Sequence, residues 1–121
     1  MLEDTPKLHV TRGNTIVSAM FVTGSLSIAI AEMNLMSTLD FGLEDLGSYV
    51  WWICRVVINS KYRRRGYGRT LVDQLAQSQL GYAMIVTPGG YDMSPDEQTS
   101  FYAACGFVQR GEFMVRIGDR S

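Results

Sequence analysis

The sequence predicts an α/β or α+β domain built around one mixed β-sheet, and three observations carry that expectation. The first half is dominated by short β-branched and apolar runs separated by turn residues. The run "YVWWICRVVI", residues 49–58, is aromatic and β-branched throughout, as a buried strand should be. Two helical patterns follow it, one on each side of the apolar run "YAMIVTP", so strands and helices alternate in the second half.

Taken in order, "KLHVT", 7–11, reads as a short strand and "RGN", 12–14, as a turn. "TIVSAMFV", 15–22, reads as a second strand, ended by "TGS". In "SLSIAIAE", 25–32, Leu26, Ile28 and Ile30 alternate with Ser27, Ala29 and Ala31. That period of two argues for a strand, while the alanines leave a helix open. Residues 33–48 suit a loop or a short helix. The 49–58 strand is expected to be buried on both faces except near Arg55, with Trp51 and Trp52 pointing to opposite sides. Leu71, Val72, Leu75 and Leu80 then recur at helical spacing over 68–80, with Gly81 as the stop. "YAMIVTP", 82–88, is a strand. In "SPDEQTSFYAAC", 94–105, Ser94 can cap a helix, Pro95 suits its first turn, and Asp96 and Glu97 complement its dipole. Gly106 ends it, and 107–117 reads as two strands around Arg110 and Gly111.

The bulk numbers bound the possibilities. A chain of 121 residues, 46% hydrophobic and 19% charged, is expected to form one globular domain. No apolar run reaches the roughly 20 residues of a membrane span. The opening "MLEDTPK" is the wrong start for a signal peptide. Cys54 lies in an apolar run, so no disulfide is expected between the two cysteines, and the expected setting is cytoplasmic. One histidine, His9, and two cysteines argue against a zinc site. The methionines and Cys105 are expected to fill the core.

Charge is unevenly spread. Lys61, Arg63, Arg64, Arg65 and Arg69 lie within "KYRRRGYGRT", residues 61–70, leaving six basic against twelve acidic groups elsewhere. A general nucleic-acid binder presents a broad basic face, so a local anionic ligand is favoured over a long polyanion. The segment joins a strand to a helix start, where unpaired backbone N–H groups and the helix dipole attract phosphate. Gly66 and Gly68 let a backbone approach a pyrophosphate closely. The P-loop pattern is absent. A dinucleotide fingerprint would need a small residue at Leu71 and an acid near 87–91.

The segment resembles the acyl-CoA signature of the GNAT superfamily of N-acetyltransferases, Arg/Gln-x-x-Gly-x-Gly/Ala, here Arg63-Arg64-Arg65-Gly66-Tyr67-Gly68. The strand "RVVINSKYR" before it and "RTLV" after it fit the same pattern. So does "FYAACGF", Phe101 to Phe107, with a strand between the two motifs. The resemblance covers residues 49–117. It implies a GNAT-like mixed sheet with helices on both faces and a shortened N-terminal part.

The resemblance also implies acetyl-CoA as co-substrate and no metal. The backbone of Val56, Val57 and Ile58 would pair with pantetheine. The stretch Arg64 to Thr70, with Tyr67 and Arg69 inside it, would hold the pyrophosphate, and Lys61, Arg63 or Arg69 the 3′-phosphate. An N–H of Val57 or a neighbour would face the oxyanion. Tyr102 matches the family's general acid. The 49–58 strand lacks the carboxylate that many relatives keep. Of Glu32, Asp40, Glu44 and Asp45, Glu44 is taken as the base, with water relays as the alternative. The acceptor would be an amine on a small molecule or a protein, and a homodimer is compatible with the family. Two other readings stay open: a CoA-binding or partner-binding module with little catalysis, and a nucleic-acid-associated protein using 61–69 as a basic patch. Pro95 stands where relatives often carry Asn, which weakens one pantetheine contact.

Overall fold

The apolar runs of the first half pair with one another in sequence order, as an antiparallel meander. The computed structural model describes residues 5–63, 65–79, 81–88 and 94–117. The strands are β1 (Lys7–Arg12), β2 (Ile16–Thr23), β3 (Leu26–Ser37), β4 (Tyr49–Ile58), β5 (Ala83–Val86), β6 (Val108–Arg110) and β7 (Phe113–Arg116); the α-helices are α1 (Tyr67–Gln77) and α2 (Pro95–Ala104). All seven strands form one sheet in the order β1-β2-β3-β4-β5-β7-β6. Neighbours are antiparallel except β4 and β5, which run parallel. That parallel pair needs a crossover, and α1 supplies it. Arg64, Leu80, Met93 and the 89–93 part of the expected loop lie outside the described residues.

Alternation along the strands sorts the side chains into two layers. Trp51 and Ile53 of β4, Met84 and Val86 of β5 and Met114 of β7 face the side where Leu71, Val72 and Leu75 of α1 and Tyr102 of α2 pack. Val50, Ala83, Ile85 and Val115 face the other way and are covered by Phe41, Leu43 and Leu46. These come from two short 3-10 turns, Thr38–Phe41 and Glu44–Leu46, and the residues beside them. Helical segments thus lie on both faces, but both α-helices share one. Trp51 and Trp52 point to opposite layers, as expected from their adjacency. Met33, Met84 and Met114 are fully buried, and Cys105 is buried beside them.

Four local expectations change. Residues 25–32 form a strand, and β3 runs on through 33–37 because β4 pairs with it as far as Ser37 opposite Tyr49. Tertiary pairing overrides the mixed local pattern there. The rest of 33–48 forms the two 3-10 turns, held by Thr38, whose buried hydroxyl donates to the carbonyl of Gly47 at 2.6 Å. The second half of β4 is not buried on both sides: Arg55 is exposed and Val57 is 44% exposed. Finally, α1 stops at Gln77, earlier than Gly81.

The early stop has a visible cause in Gln79, which is buried. Its carbonyl accepts from Trp51 Nε1 at 3.0 Å, and its Oε1 accepts from Arg116 Nη1 at 2.8 Å. Its Nε2 donates to the carbonyl of Tyr82 at 2.7 Å. A continued helix would carry this amide away from those partners. By contrast, α2 begins as its sequence dictates. Ser94 Oγ accepts from the N–H of Glu97 at 3.2 Å, with Pro95 in the first turn and Asp96 and Glu97 near the positive end.

Candidate active site

The parallel pair β4–β5 opens into a fork. Its register is only Val50 with Ala83, Trp51 with Met84 and Trp52 with Ile85, although β4 continues to Ile58. Among the described residues, β4 beyond Trp52 is paired on its β3 side alone, Val56, Val57 and Ile58 included. A strand edge with no neighbour presents alternate N–H and C=O groups as free partners. Val56 and Ile58 lean on the α-helical layer, while Val57 faces the opposite side.

Irregular pairing helps part the strands. Glu32 lies opposite Arg55, but Met33 lies opposite Ile53, so Cys54 is an extra residue in β4. Such a bulge bends a strand and increases its twist. It falls where pairing to β5 ends.

At the far end of β4 the chain turns through a tight loop into α1. Asn59 donates its N–H to the carbonyl of Ile28 at 2.8 Å, and its side chain accepts from the N–H of Lys61 at 3.0 Å. Gly66 caps α1 with φ 82°, a left-handed conformation suited to glycine, and offers no capping side chain to the first-turn N–H groups. Those groups are therefore open to an anion. Arg65 and Arg69 are exposed around them, Lys61 is exposed and Arg63 half-buried. The Arg65 guanidinium stands 5.3 Å above the Tyr62 ring, and Tyr67 packs on Tyr62 and Phe21. Thr70 Oγ1 donates to the carbonyl of Gly66 at 3.0 Å.

Gly68 has a different reason to be glycine. It is buried, and a Cβ there would stand 2.6 Å from Ile58 Cδ1 and 3.2 Å from the Phe101 ring. It therefore sets the closeness of β4, α1 and α2. Gly68→Val is expected to destabilise the fold by about 1–3 kcal/mol, the usual cost of overpacking, as read from the urea midpoint.

Tyr102 is 5% exposed and packs between Phe101 and Phe107, at ring distances of 5.0 and 5.5 Å. It shares its cluster with Ile53 and Val86, the first residues beyond the last β4–β5 pair. Burial, and then the neighbouring Cys105, push its phenol up to about 12. Burial, followed by Asp73, pushes the Cys105 thiol up to about 11. A phenol raised in the fold keeps its stabilising contribution below about pH 10 and loses it as pH rises through about 12. An alkaline titration followed by near-ultraviolet absorbance should show a late tyrosine signal that Tyr102→Phe removes.

The acids divide clearly. Glu44 is exposed on the turn ahead of β4, and Asp40 is exposed on the turn before it. Asp45 is bound to Arg110 at 2.6 Å, which holds its carboxyl below the usual range. Glu32 reaches the bulge itself: its Oε1 accepts from Cys54 Sγ at 3.7 Å. Sequence spacing could not reveal that contact, because it depends on the register of two strands. His9 is an exposed residue of β1.

The fork in the parallel pair leads toward a glycine-capped helix end beside Arg65 and Arg69. Comparison with known proteins gives the chain its family. A family model described as an acetyltransferase (GNAT) domain matches residues 22–109, well over half the chain. The chain belongs to the GNAT acetyltransferase family, and is of the acyltransferase class. No curated protein sequence matches it.

Several solved structures share the fold. Arabidopsis thaliana NAA60 in complex with a bisubstrate analogue is 16% identical, with TM-score 0.69, covering 90% of this chain and 79% of that one. The Escherichia coli ribosomal-protein-S18-alanine N-acetyltransferase is 14% identical, with TM-score 0.65 and coverages of 91% and 74%. The Bacillus subtilis N-acetyltransferase YlbP, in complex with coenzyme A, is 13% identical, with TM-score 0.63 and coverages of 85% and 70%. At these identities the likeness is one of fold. Among the described residues, no helix is long and apolar enough to cross a membrane.

Proposed function

We propose that the protein transfers an acetyl group directly from acetyl-CoA to a primary amine on a small molecule or a protein. The observation that carries this reading is the β4–β5 fork, which closes at Trp52 and Ile85 and opens toward the capped end of α1. Residues 49–117 form the acyl-CoA-binding core in this reading. From the cradle at α1 to the closed end of the fork, β4 spans about six residues, roughly 20 Å. That length suits an extended pantetheine arm pairing with Val56, Val57 and Ile58. The first-turn N–H groups of α1 and residues 64–70 take the pyrophosphate, with Arg63, Arg65 and Arg69 around it.

Bound acetyl-CoA supplies a thioester carbonyl and a thiolate leaving group. The chain supplies an N–H on the free edge of β4 for the oxyanion, Val57 or a neighbour. Tyr102 supplies a proton for sulfur. Its raised phenol keeps that proton at every working pH. Transfer from so weak an acid requires that the departing sulfur be desolvated as well. A desolvated thiolate is a far stronger base than in water.

The direct test is thermal melting with acetyl-CoA. A ligand at 100 times its Kd adds about 2.7 kcal/mol, so the melting temperature should rise by several degrees. No rise at millimolar acetyl-CoA would contradict the reading.

A further inference from the structure

We propose that Glu32 is the carboxylate that receives the acceptor amine and takes its proton, with the amine arriving across the uncovered face of β2, β3 and β4. The inference rests on the fork as the acetyl-donor site and names the base that site uses. The donor lies between β4 and β5, so an acceptor reaches it from one sheet face or the other. The α-helical face is closed by the packed cluster of Ile53, Leu71 and Tyr102, all nearly or fully buried. The opposite face carries no α-helix along β2 to β4 among the described residues: Ile16 is 51% and Val57 44% exposed, Arg55 beside Val57 is exposed, and Ser18, Met20, Ile30 and Glu32 are half-buried. Glu32 stands on this face, opposite Arg55 on β4 and Ser18 on β2. It lies one strand away from β4 and two positions along β3 from Asn34, which pairs with Trp52 where β4 leaves β5.

The bulge holds the carboxylate there. Cys54, the extra residue, donates to Glu32 Oε1 at 3.7 Å and to the Glu32 carbonyl at 3.5 Å. Asn34 Nδ2 donates to the Cys54 sulfur at 3.2 Å. Burial first, and the Glu32 charge second, raise the Cys54 thiol above its ordinary range, so Cys54 stays a neutral donor. The charged and titratable groups facing Glu32 are thus Arg55 and Cys54 from β4, with uncharged Ser18 from β2. Cys54 is a positioning residue, whereas Glu32 meets the amine. Glu44 has no comparable setting on its exposed turn.

One proton passes from the ammonium to Glu32, and the freed lone pair forms the C–N bond at the thioester carbonyl. The C–S bond breaks with its electron pair on sulfur, and Tyr102 protonates that sulfur. The second amine proton leaves through solvent, which restores Tyr102. One proton is released overall. Acid and base therefore act from opposite faces of the sheet.

The test compares kcat, KM and pH profile for wild type, Glu32→Gln, Glu32→Asp, Cys54→Ser and Glu44→Gln. The acceptors are an alanine-terminated peptide, a lysine peptide and a polyamine. Glu32→Gln should lower kcat about a hundredfold or more, with the KM for acetyl-CoA and the acetyl-CoA melting shift unchanged. Raising the pH toward the amine's own pKa should restore part of that loss, because the amine then arrives without its proton. Glu32→Asp, which keeps the charge on the same face and the fold intact, should fall between the two. Cys54→Ser should stay within tenfold of wild type, and Glu44→Gln should match it. A Glu32→Gln protein with wild-type kcat and pH profile overturns the inference and leaves the acetyl-donor site standing. A wild type without the acetyl-CoA shift, or with the shift and no thiol release, overturns both.

Discussion

Replacing Tyr102 by phenylalanine is expected to lower kcat by about a hundred- to ten-thousand-fold, the range a single positioned proton donor contributes. The fold should survive, because only a hydroxyl is lost and the ring contacts with Phe101 and Phe107 remain. Acetyl-CoA affinity should be unchanged, because the substitution removes one buried hydroxyl and leaves the proposed cradle at α1 unaltered. This separation makes the result diagnostic. A fall in kcat with an unchanged melting shift marks a proton donor; a fall in both marks a packing residue. Steady-state thiol release beside acetyl-CoA melting measures the pair. An unchanged kcat removes Tyr102 from the chemistry.

The second large effect concerns the arginines. Arg65 and Arg69 are exposed at the positive end of α1, where the helix dipole disfavours cations. Hydrogen bonds to charged groups contribute roughly 1.5–3 kcal/mol each. The double variant Arg65→Glu with Arg69→Glu also sets two negative charges against the pyrophosphate. Its acetyl-CoA Kd should rise about a hundredfold, or about 2.7 kcal/mol. The unliganded protein should become slightly more stable, by a few tenths of a kcal/mol per residue, because glutamate suits a helix N-terminus. Calorimetric titration at low and high salt checks the first part, and melting without ligand the second. Opposite signs for affinity and stability are the signature of charge placed for a ligand. Loss of both would mark the arginines as structural.

Much of the fold was legible because local signals and tertiary demands agree. The 49–58 strand ends where its pattern ends, and α2 starts at the Ser94-Pro95-Asp96-Glu97 signal. The basic loop was legible because glycines at a strand–helix junction have few other uses. What was hidden depends on pairing across the chain. β3 extends through Met33 to Ser37 because β4 lies beside it throughout and β2 as far as Asn34. The end of α1 is set by Gln79, whose partners lie on β4, β7 and the chain entering β5. The site divides the same way. Of the residues proposed for the site, Gly66, Gly68 and Tyr102 stand in motifs, whereas Glu32 stands in none. Its place depends on a one-residue bulge that brings Cys54 against it. Glu44 drew attention by its place in sequence ahead of β4, yet it sits on an exposed turn.

Direct acetyl transfer is tested most plainly by measuring thiol release and acetylated amine together, with purified protein, acetyl-CoA and the three acceptor amines. Thiol is expected only when an amine is present, and in equal amount to the acetylated product. Binding of acetyl-CoA with no thiol released for any amine would contradict it, and would leave a protein that holds the donor without using it.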